Sequence, residues 1–163
     1  MREAAAKILS REALAAECER LRANGTRVAF TNGTFDILHA GHVTYLAFAR
    51  KQGDVLIVGL NSDASIRRIK GEKRPIINEP YRSAMLAALE CVDYVCLFDE
   101  DEPCELLKAC LPDVLIKGED WAHNVIGREI VEERGGEVVL APMVEGLSTS
   151  AIIARILDVH RDE

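Results

Sequence analysis

The sequence predicts an α/β fold: a Rossmann-like, doubly wound sheet of five parallel strands with helices on both faces, in a single domain over residues 1–163. Three observations predict it. From Arg27 onward, short apolar runs alternate with helix-length segments, the βαβα order that builds parallel sheets. The clearest run, 54–61, is apolar without alternation, as a strand buried on both faces requires. The length suits one domain, and no repeat, low-complexity tract or linker marks a second.

A helical extension (1–24) precedes the core (27–157). Its helix spans about 10–23, with Ser10 as N-cap and Asn24-Gly25 as the stop. Strand one is 27–32, followed by a helix at 41–52 that Gly53 ends. Strand two is 54–61, with a short helix at 63–69. The polar loop Lys70-Gly71-Glu72-Lys73-Arg74-Pro75 leads to a helix at 79–91, where Pro80 is tolerated near the start. Strand three is 94–98, then a helix at 102–110. Strand four is 114–117, then a helix at 126–134 stopped by Gly135-Gly136. Strand five is 137–141, and the last helix starts at Ser148-Thr149-Ser150.

The bulk composition narrows function. A net charge of −7 argues against broad nucleic-acid binding by bulk electrostatics, though a small basic pocket remains compatible with it. No apolar run approaches the roughly 18 residues of a membrane span, so no membrane partner is expected. Residues 1–7 lack the apolar core of a signal peptide, and Glu3, Glu12, Glu17 and Glu19 are foreign to a transit peptide. The five cysteines form no C-x-x-C pair and sit in apolar stretches, which reads as buried reduced thiols and a cytoplasmic location.

In an α/β sheet, ligands sit beyond the C-terminal strand ends, where strand order reverses. The chemistry-bearing residues fall there. After strand one comes Thr31-Asn32-Gly33-Thr34-Phe35-Asp36-Ile37-Leu38-His39-Ala40-Gly41-His42. A His-x-Gly-His at a helix N-terminus joins two imidazoles to free backbone N–H groups, a setting that suits anions. Gly41 leaves room for a ligand near the backbone. The bland alternative is two histidines that merely cap the helix. Zinc fits poorly, because no third and fourth ligand stand at zinc spacing. Asn61-Ser62-Asp63 follows strand two, Lys117-Gly118-Glu119-Asp120-Trp121 follows strand four, and Ser148-Thr149-Ser150 follows strand five. Neither G-x-x-x-x-G-K-[ST] nor G-x-G-x-x-G is present.

Residues 33–42, 117–121 and 145–150, in that order, resemble the His-x-Gly-His nucleotidyltransferase superfamily in its cytidylyltransferase-like branch. The likeness covers roughly 27–157. Phe30-Thr31-Asn32-Gly33-Thr34-Phe35-Asp36, Asn61-Ser62-Asp63-Ala64-Ser65, Lys70-Gly71 and Arg74-Pro75 are similar to the heptose 1-phosphate adenylyltransferases of bacterial lipopolysaccharide synthesis. That activity is, in many species, one half of a two-domain protein with a sugar kinase, and this chain looks like a stand-alone form. The resemblance implies transfer of AMP from ATP to D-glycero-β-D-manno-heptose 1-phosphate, giving ADP-heptose and pyrophosphate. A CTP-dependent enzyme acting on glycerol phosphate or a similar alcohol phosphate is the alternative, and a non-catalytic nucleotide-binding module is another. Glycerol-phosphate cytidylyltransferases carry an arginine shortly before the final motif; Met143 stands at that position, which favours the heptose reading.

The nucleophile of such a transfer is already an anion, so catalysis is alignment and charge neutralisation. His39, His42, Lys70 and Lys117 are the expected catalytic donors. Thr31, Asn32, Gly33, Thr34, Phe35, Gly41, Gly118, Asp120, Ser148, Thr149 and Ser150 are expected around the nucleotide with His42 and Lys117, although Phe35 also reads as core and Ser148 as an ordinary N-cap. Asp36, Asn61, Asp63, Arg74, Arg82 and Trp121 are expected toward the acceptor. Lys70, Lys73 and Arg74 form either a basic lid or a solvated charge run. Trp121 packs on a ligand or plugs the core. Asp36 either faces a cation or braces the loop. Mg²⁺ is the expected cofactor, held mainly by phosphates with Asp36 as a possible ligand. A homodimer is the default assembly.

Overall fold

The apolar runs become five strands: β1 (Val28–Gly33), β2 (Val55–Asn61), β3 (Tyr94–Phe98), β4 (Val114–Gly118) and β5 (Glu137–Ala141). In the computed structural model, which describes residues 3–144 and 146–161, they form one parallel sheet in the order β3-β2-β1-β4-β5. Glu145 of the last motif lies outside the described residues. The helices are α1 (Arg11–Ala23), α2 (Ala40–Arg50), α3 (Asp63–Lys70), α4 (Glu79–Ala88), α5 (Cys104–Cys110), α6 (Arg128–Glu132) and α7 (Thr149–Val159).

Successive strand residues point to opposite faces, so the sheet carries two cores. Phe30, Ile57, Cys96 and Leu115 pack with Leu14 and Cys18 of α1 and Leu106 and Cys110 of α5. Ala29, Leu56, Val58, Val95 and Ile116 pack with Leu46 of α2 and Leu86 of α4. Each fully buried leucine contributes about 2 kcal/mol of transfer free energy. Gly59 sits mid-strand because a Cβ there would lie 2.9 Å from the Phe30 ring and 3.1 Å from Leu106.

Ser10 caps α1 as expected, its Oγ accepting from the Ala13 amide at 3.2 Å. Four helices are shorter than their sequence patterns. α2 ends at Arg50 with Lys51 as C-cap, before Gly53 is reached. α4 ends at Ala88, and Lys7 Nζ donates to the carbonyls of Leu89 and Val92 beyond it. α5 starts only after Pro103, which is its N-cap. Gly127, at φ 91°, delays the start of α6. Short 3-10 turns at Ala4–Lys7 and Glu119–Trp121 carried no periodicity to announce them. The β3 edge is covered by Ile8, which bridges to Val95. All five cysteines are free thiols, with Cys18, Cys96 and Cys110 buried. Among the described residues, no helix is long and apolar enough to cross a membrane.

The strand order positions the site. The chain runs outward from β1 to β2 and β3, then crosses to β4 and β5 on the other side. The loops after β1 and β4 therefore part from each other and open a crevice at the C-terminal edge.

Candidate active site

A cleft of about 520 Å³ occupies that crevice, a size suited to a nucleotide-scale ligand. It is lined by Asn32, Gly33, Thr34, Phe35, His39, Gly41 and His42 after β1, and by Asn61 after β2. Lys70, Arg74, Lys117, Gly118, Asp120, Trp121, Ser148, Thr149 and Ser150 line it from the other loops. The structure thus brings one cleft out of segments spread over more than a hundred residues.

His39 is the N-cap of α2 and His42 lies in its first turn. Their rings stack with centroids 3.9 Å apart, and Phe35 meets His42 edge-on at 5.3 Å. A Cβ on Gly41 would approach the His39 ring at 3.0 Å, so only glycine leaves this stack undisturbed. The Nδ1 atoms of both histidines are buried with no hydrogen-bond partner among the described residues. Such unmet capacity is rare in folded proteins and marks sites that await something. Burial, then the neighbouring charges of His39 and Lys70, push the His42 imidazole down to about 4, with Asp36 opposing them. Burial also lowers His39. The stacked pair is therefore neutral at physiological pH, and an arriving anion would favour its protonation.

Lys117, next to last in β4, is half-buried, its Nζ donating to Asn32 Oδ1. Burial pushes its ammonium down to about 8, and no carboxylate pairs with it among the described residues. Lys70 stands at the end of α3, its ammonium lowered by partial desolvation and by the Arg74 charge, with Asp36 opposing. Three cations (Lys70, Arg74, Lys117) thus face two acids (Asp101, Asp120) in a chain of net charge −7, so the positive potential is local. Ser148 caps α7, its Oγ accepting from the Ala151 amide at 3.1 Å. Thr149 Oγ1 instead donates to the Asp36 carbonyl at 2.7 Å. Trp121 is 51% exposed on the cleft wall, which removes the core-plug alternative.

Four expected contact residues stand behind the wall rather than on it. Thr31 is fully buried and hydrogen-bonds the Tyr45 hydroxyl at 2.7 Å. Asp36 is fully buried, and its oxygens accept from Arg74 Nε (2.8 Å) and from the amides of Ile76 and Ile77 (both 2.9 Å). Burial raises its carboxyl, but those amides and the guanidinium outweigh it and hold it below its ordinary value. Asp36 therefore braces the loop and does not fit a metal ligand. Arg82 is also fully buried, donating to the carbonyls of Ile77 (2.9 Å) and Thr34 (2.7 Å) and to Asp63 Oδ1 (2.7 Å). That network uses Nε, Nη1 and Nη2, so neither Arg82 nor Asp63 is available to an acceptor in the cleft. Phe35 and Ile37 flank Asp36 at φ 42° and 51°, a left-handed backbone costing roughly 1–2 kcal/mol per residue. The Asp36 and Arg82 bonds hold it in place. Lys73 does not line the cleft.

Sequence reasoning missed Tyr45, Ile69, Asp101, Pro103, Asn124, Ile126, Pro142, Val144 and Leu147, and it used Met143 only as a departure from a pattern. The loops after β3 and β5 leave the same sheet edge as the others, so topology alone points to Asp101 and Pro142. Ile126 and Leu147 carry no chemical signal.

A family model described as cytidylyltransferase-like matches residues 30–155. The bifunctional protein HldE of Trichlorobacter lovleyi is 53% identical over 99% of this chain and 33% of its own length. That of Pelobacter propionicus is 55% identical over 93% of this chain and 31% of its own. The chain thus spans about a third of the length of these relatives. Among solved structures, a lipopolysaccharide core biosynthesis protein from Thermoplasma volcanium is similar with 30% identity and TM-score 0.60, over 74% of this chain and 98% of that one. Pantoate-beta-alanine ligase from Francisella tularensis is similar in fold alone, with 15% identity and TM-score 0.62 over 96% of this chain and 79% of that one. With the paired imidazoles and the β4 lysine inside the matched span, the chain belongs to the cytidylyltransferase-like family of nucleotidyltransferases.

Proposed function

We propose that this chain transfers AMP from ATP to D-glycero-β-D-manno-heptose 1-phosphate. The observation that carries the reading is the convergence of His39, His42, Lys70, Arg74, Lys117 and the α7 N-terminus on one cleft at the strand-order reversal. A phosphate oxygen of the acceptor attacks the α-phosphorus, the bond to the bridging oxygen breaks, and pyrophosphate leaves with the electron pair. No proton need move. The imidazole N–H groups, the Lys117 ammonium and the first-turn amides of α7 stabilise charge growing on the phosphate oxygens. Lys70 and Arg74 hold the incoming phosphate close to the stacked rings.

Relatives about three times as long and named bifunctional agree with an activity that elsewhere forms one part of a two-activity protein. Met143 on the cleft wall supports ATP over CTP, because no guanidinium stands where the glycerol-phosphate branch has one. Mg²⁺ fits as an ion carried in by the triphosphate: no group of three His, Cys, Asp or Glu side chains is arranged as a cage among the described residues. Bound there, it would offset triphosphate charge.

The test is pyrophosphate release from purified protein with Mg²⁺, ATP or CTP, and a panel of sugar 1-phosphates and glycerol phosphate. Turnover is expected with ATP and the heptose 1-phosphate. Faster turnover with CTP and glycerol phosphate would overturn the reading in favour of the cytidylyl alternative. ATP binding with no release on any acceptor would favour the non-catalytic one.

A pH profile follows from Lys117. Burial favours its neutral form, so the free cleft loses this charge as pH rises through about 8, well before an ordinary lysine. The value of kcat/KM for ATP reports free-enzyme ionisations, so it is expected to fall above that pH. In Lys117→Arg, which stays charged, the alkaline limb is expected to vanish even if the overall rate drops. A limb of unchanged position in that variant would assign it to another group.

A further inference from the structure

We infer that Asp101 is a specificity-determining residue that accepts hydrogen bonds from hydroxyl groups of the acceptor sugar; the inference rests on the adenylyl-transfer reading above. The cleft has two unlike halves about the histidine pair. On the β4 and β5 side Trp121, Ile126, Pro142 and Met143 offer apolar surface suited to a flat base, beside the polar Asp120 and Asn124. On the β2 and β3 side stand Asn61, Ile69, Asp101 and Pro103. Asp101 shares the cleft with Lys70 and Arg74 but pairs with neither, and a carboxylate is an unfavourable neighbour for phosphates, so it suits a ligand group that donates.

Asp101 is about half exposed at the cleft lip, where one ion pair orients it. Arg68 Nε donates to its Oδ1 at 2.8 Å, and Arg68 Nη2 donates to the Asp99 carbonyl. Ser62 Oγ donates to Asp99 Oδ1 at 2.5 Å and Ser65 Oγ to the Glu100 carbonyl at 2.9 Å. Three side chains at or within α3 therefore pin the loop after β3 at the cleft lip. Asp101 Oδ2 has no partner among the described residues. Asn61 is similar: its Nδ2 donates to Ser65 Oγ at 3.0 Å, which leaves Oδ1 unpaired among them. Two acceptor atoms on the same half of the cleft suit an uncharged, donor-rich ligand such as a polyol. A further phosphate would bring acceptors to acceptors. Two oxygen ligands fall short of a cation cage, and no group of three such side chains is present among the described residues.

The test is steady-state kinetics of Asp101→Asn and Asp101→Ala with ATP and the sugar 1-phosphate, beside direct calorimetric titration of the sugar 1-phosphate into wild type and variants. Asparagine keeps an oxygen for Arg68 but replaces the second acceptor with a donor. Both variants are expected to raise the acceptor KM ~10-fold or more, the size of a lost hydrogen bond to a charged group, with the KM for ATP within about two-fold of wild type. An acceptor KM that stays within about two-fold, or a KM for ATP that rises in step with it, would overturn the inference while wild-type turnover left the activity standing. A wild type that neither binds nor converts any sugar 1-phosphate would overturn the activity, and this inference with it.

Discussion

His42→Ala is expected to lower kcat/KM for ATP by ~10²–10³, the usual loss when one preorganised donor to a developing oxyanion is removed. His42 is fixed by the parallel His39 ring at 3.9 Å, by Phe35 edge-on at 5.3 Å, and by its place in the first turn of α2. Its ring therefore reaches the cleft already oriented, and little ordering remains to be done at the moment of reaction. Alanine removes the donor and also frees His39 to turn. His42→Asn, which restores a short donor, is expected to recover part of the loss. The far-ultraviolet circular dichroism should not change, since α2 keeps Leu46 and Ala49 in the core. Turnover within about three-fold of wild type in His42→Ala would remove the imidazole pair from the mechanism.

The second large effect concerns stability. Arg82→Met is expected to cost about 3–5 kcal/mol, the range for breaking a buried ion pair from one side. Arg82 is fully buried and donates to Thr34 O, Ile77 O and Asp63 Oδ1. Methionine fills much of the volume but leaves a carboxylate and two carbonyls unpaired. For a chain of this size the melting temperature should fall by roughly 10 °C. Adding Asp63→Asn should restore part of it, because removing both partners costs less than orphaning one. A loss below about 1 kcal/mol in chemical denaturation would show that water replaces the guanidinium.

These two residues also show how far the sequence could be read. The place of His42 in the cleft was legible because its chemistry, its glycine neighbour and its strand-to-helix position mark the loop end of β1. The strands were legible for a similar reason: β3 and β5 run at the predicted 94–98 and 137–141 because apolar runs between turn residues leave little alternative. Arg82 misled. An arginine near a helix start was expected toward the acceptor, yet its partners lie 19 and 48 residues away in Asp63 and Thr34, and one of them is a backbone carbonyl with no sequence signature. Asp36 was open between cation and brace. Burial decided it, and burial depends on where 74–77 folds back. Asp101 was unreadable among Asp99, Glu100 and Glu102, which look alike until the fold places Asp101 alone of the four on the cleft wall.

The bond from Thr149 to the Asp36 carbonyl closes a contact across 113 positions. During synthesis, the strands and the histidine loop leave the ribosome well before α7. The cleft therefore lacks one wall until α7 has emerged, and a ligand that needs that wall can assist folding only from that point on.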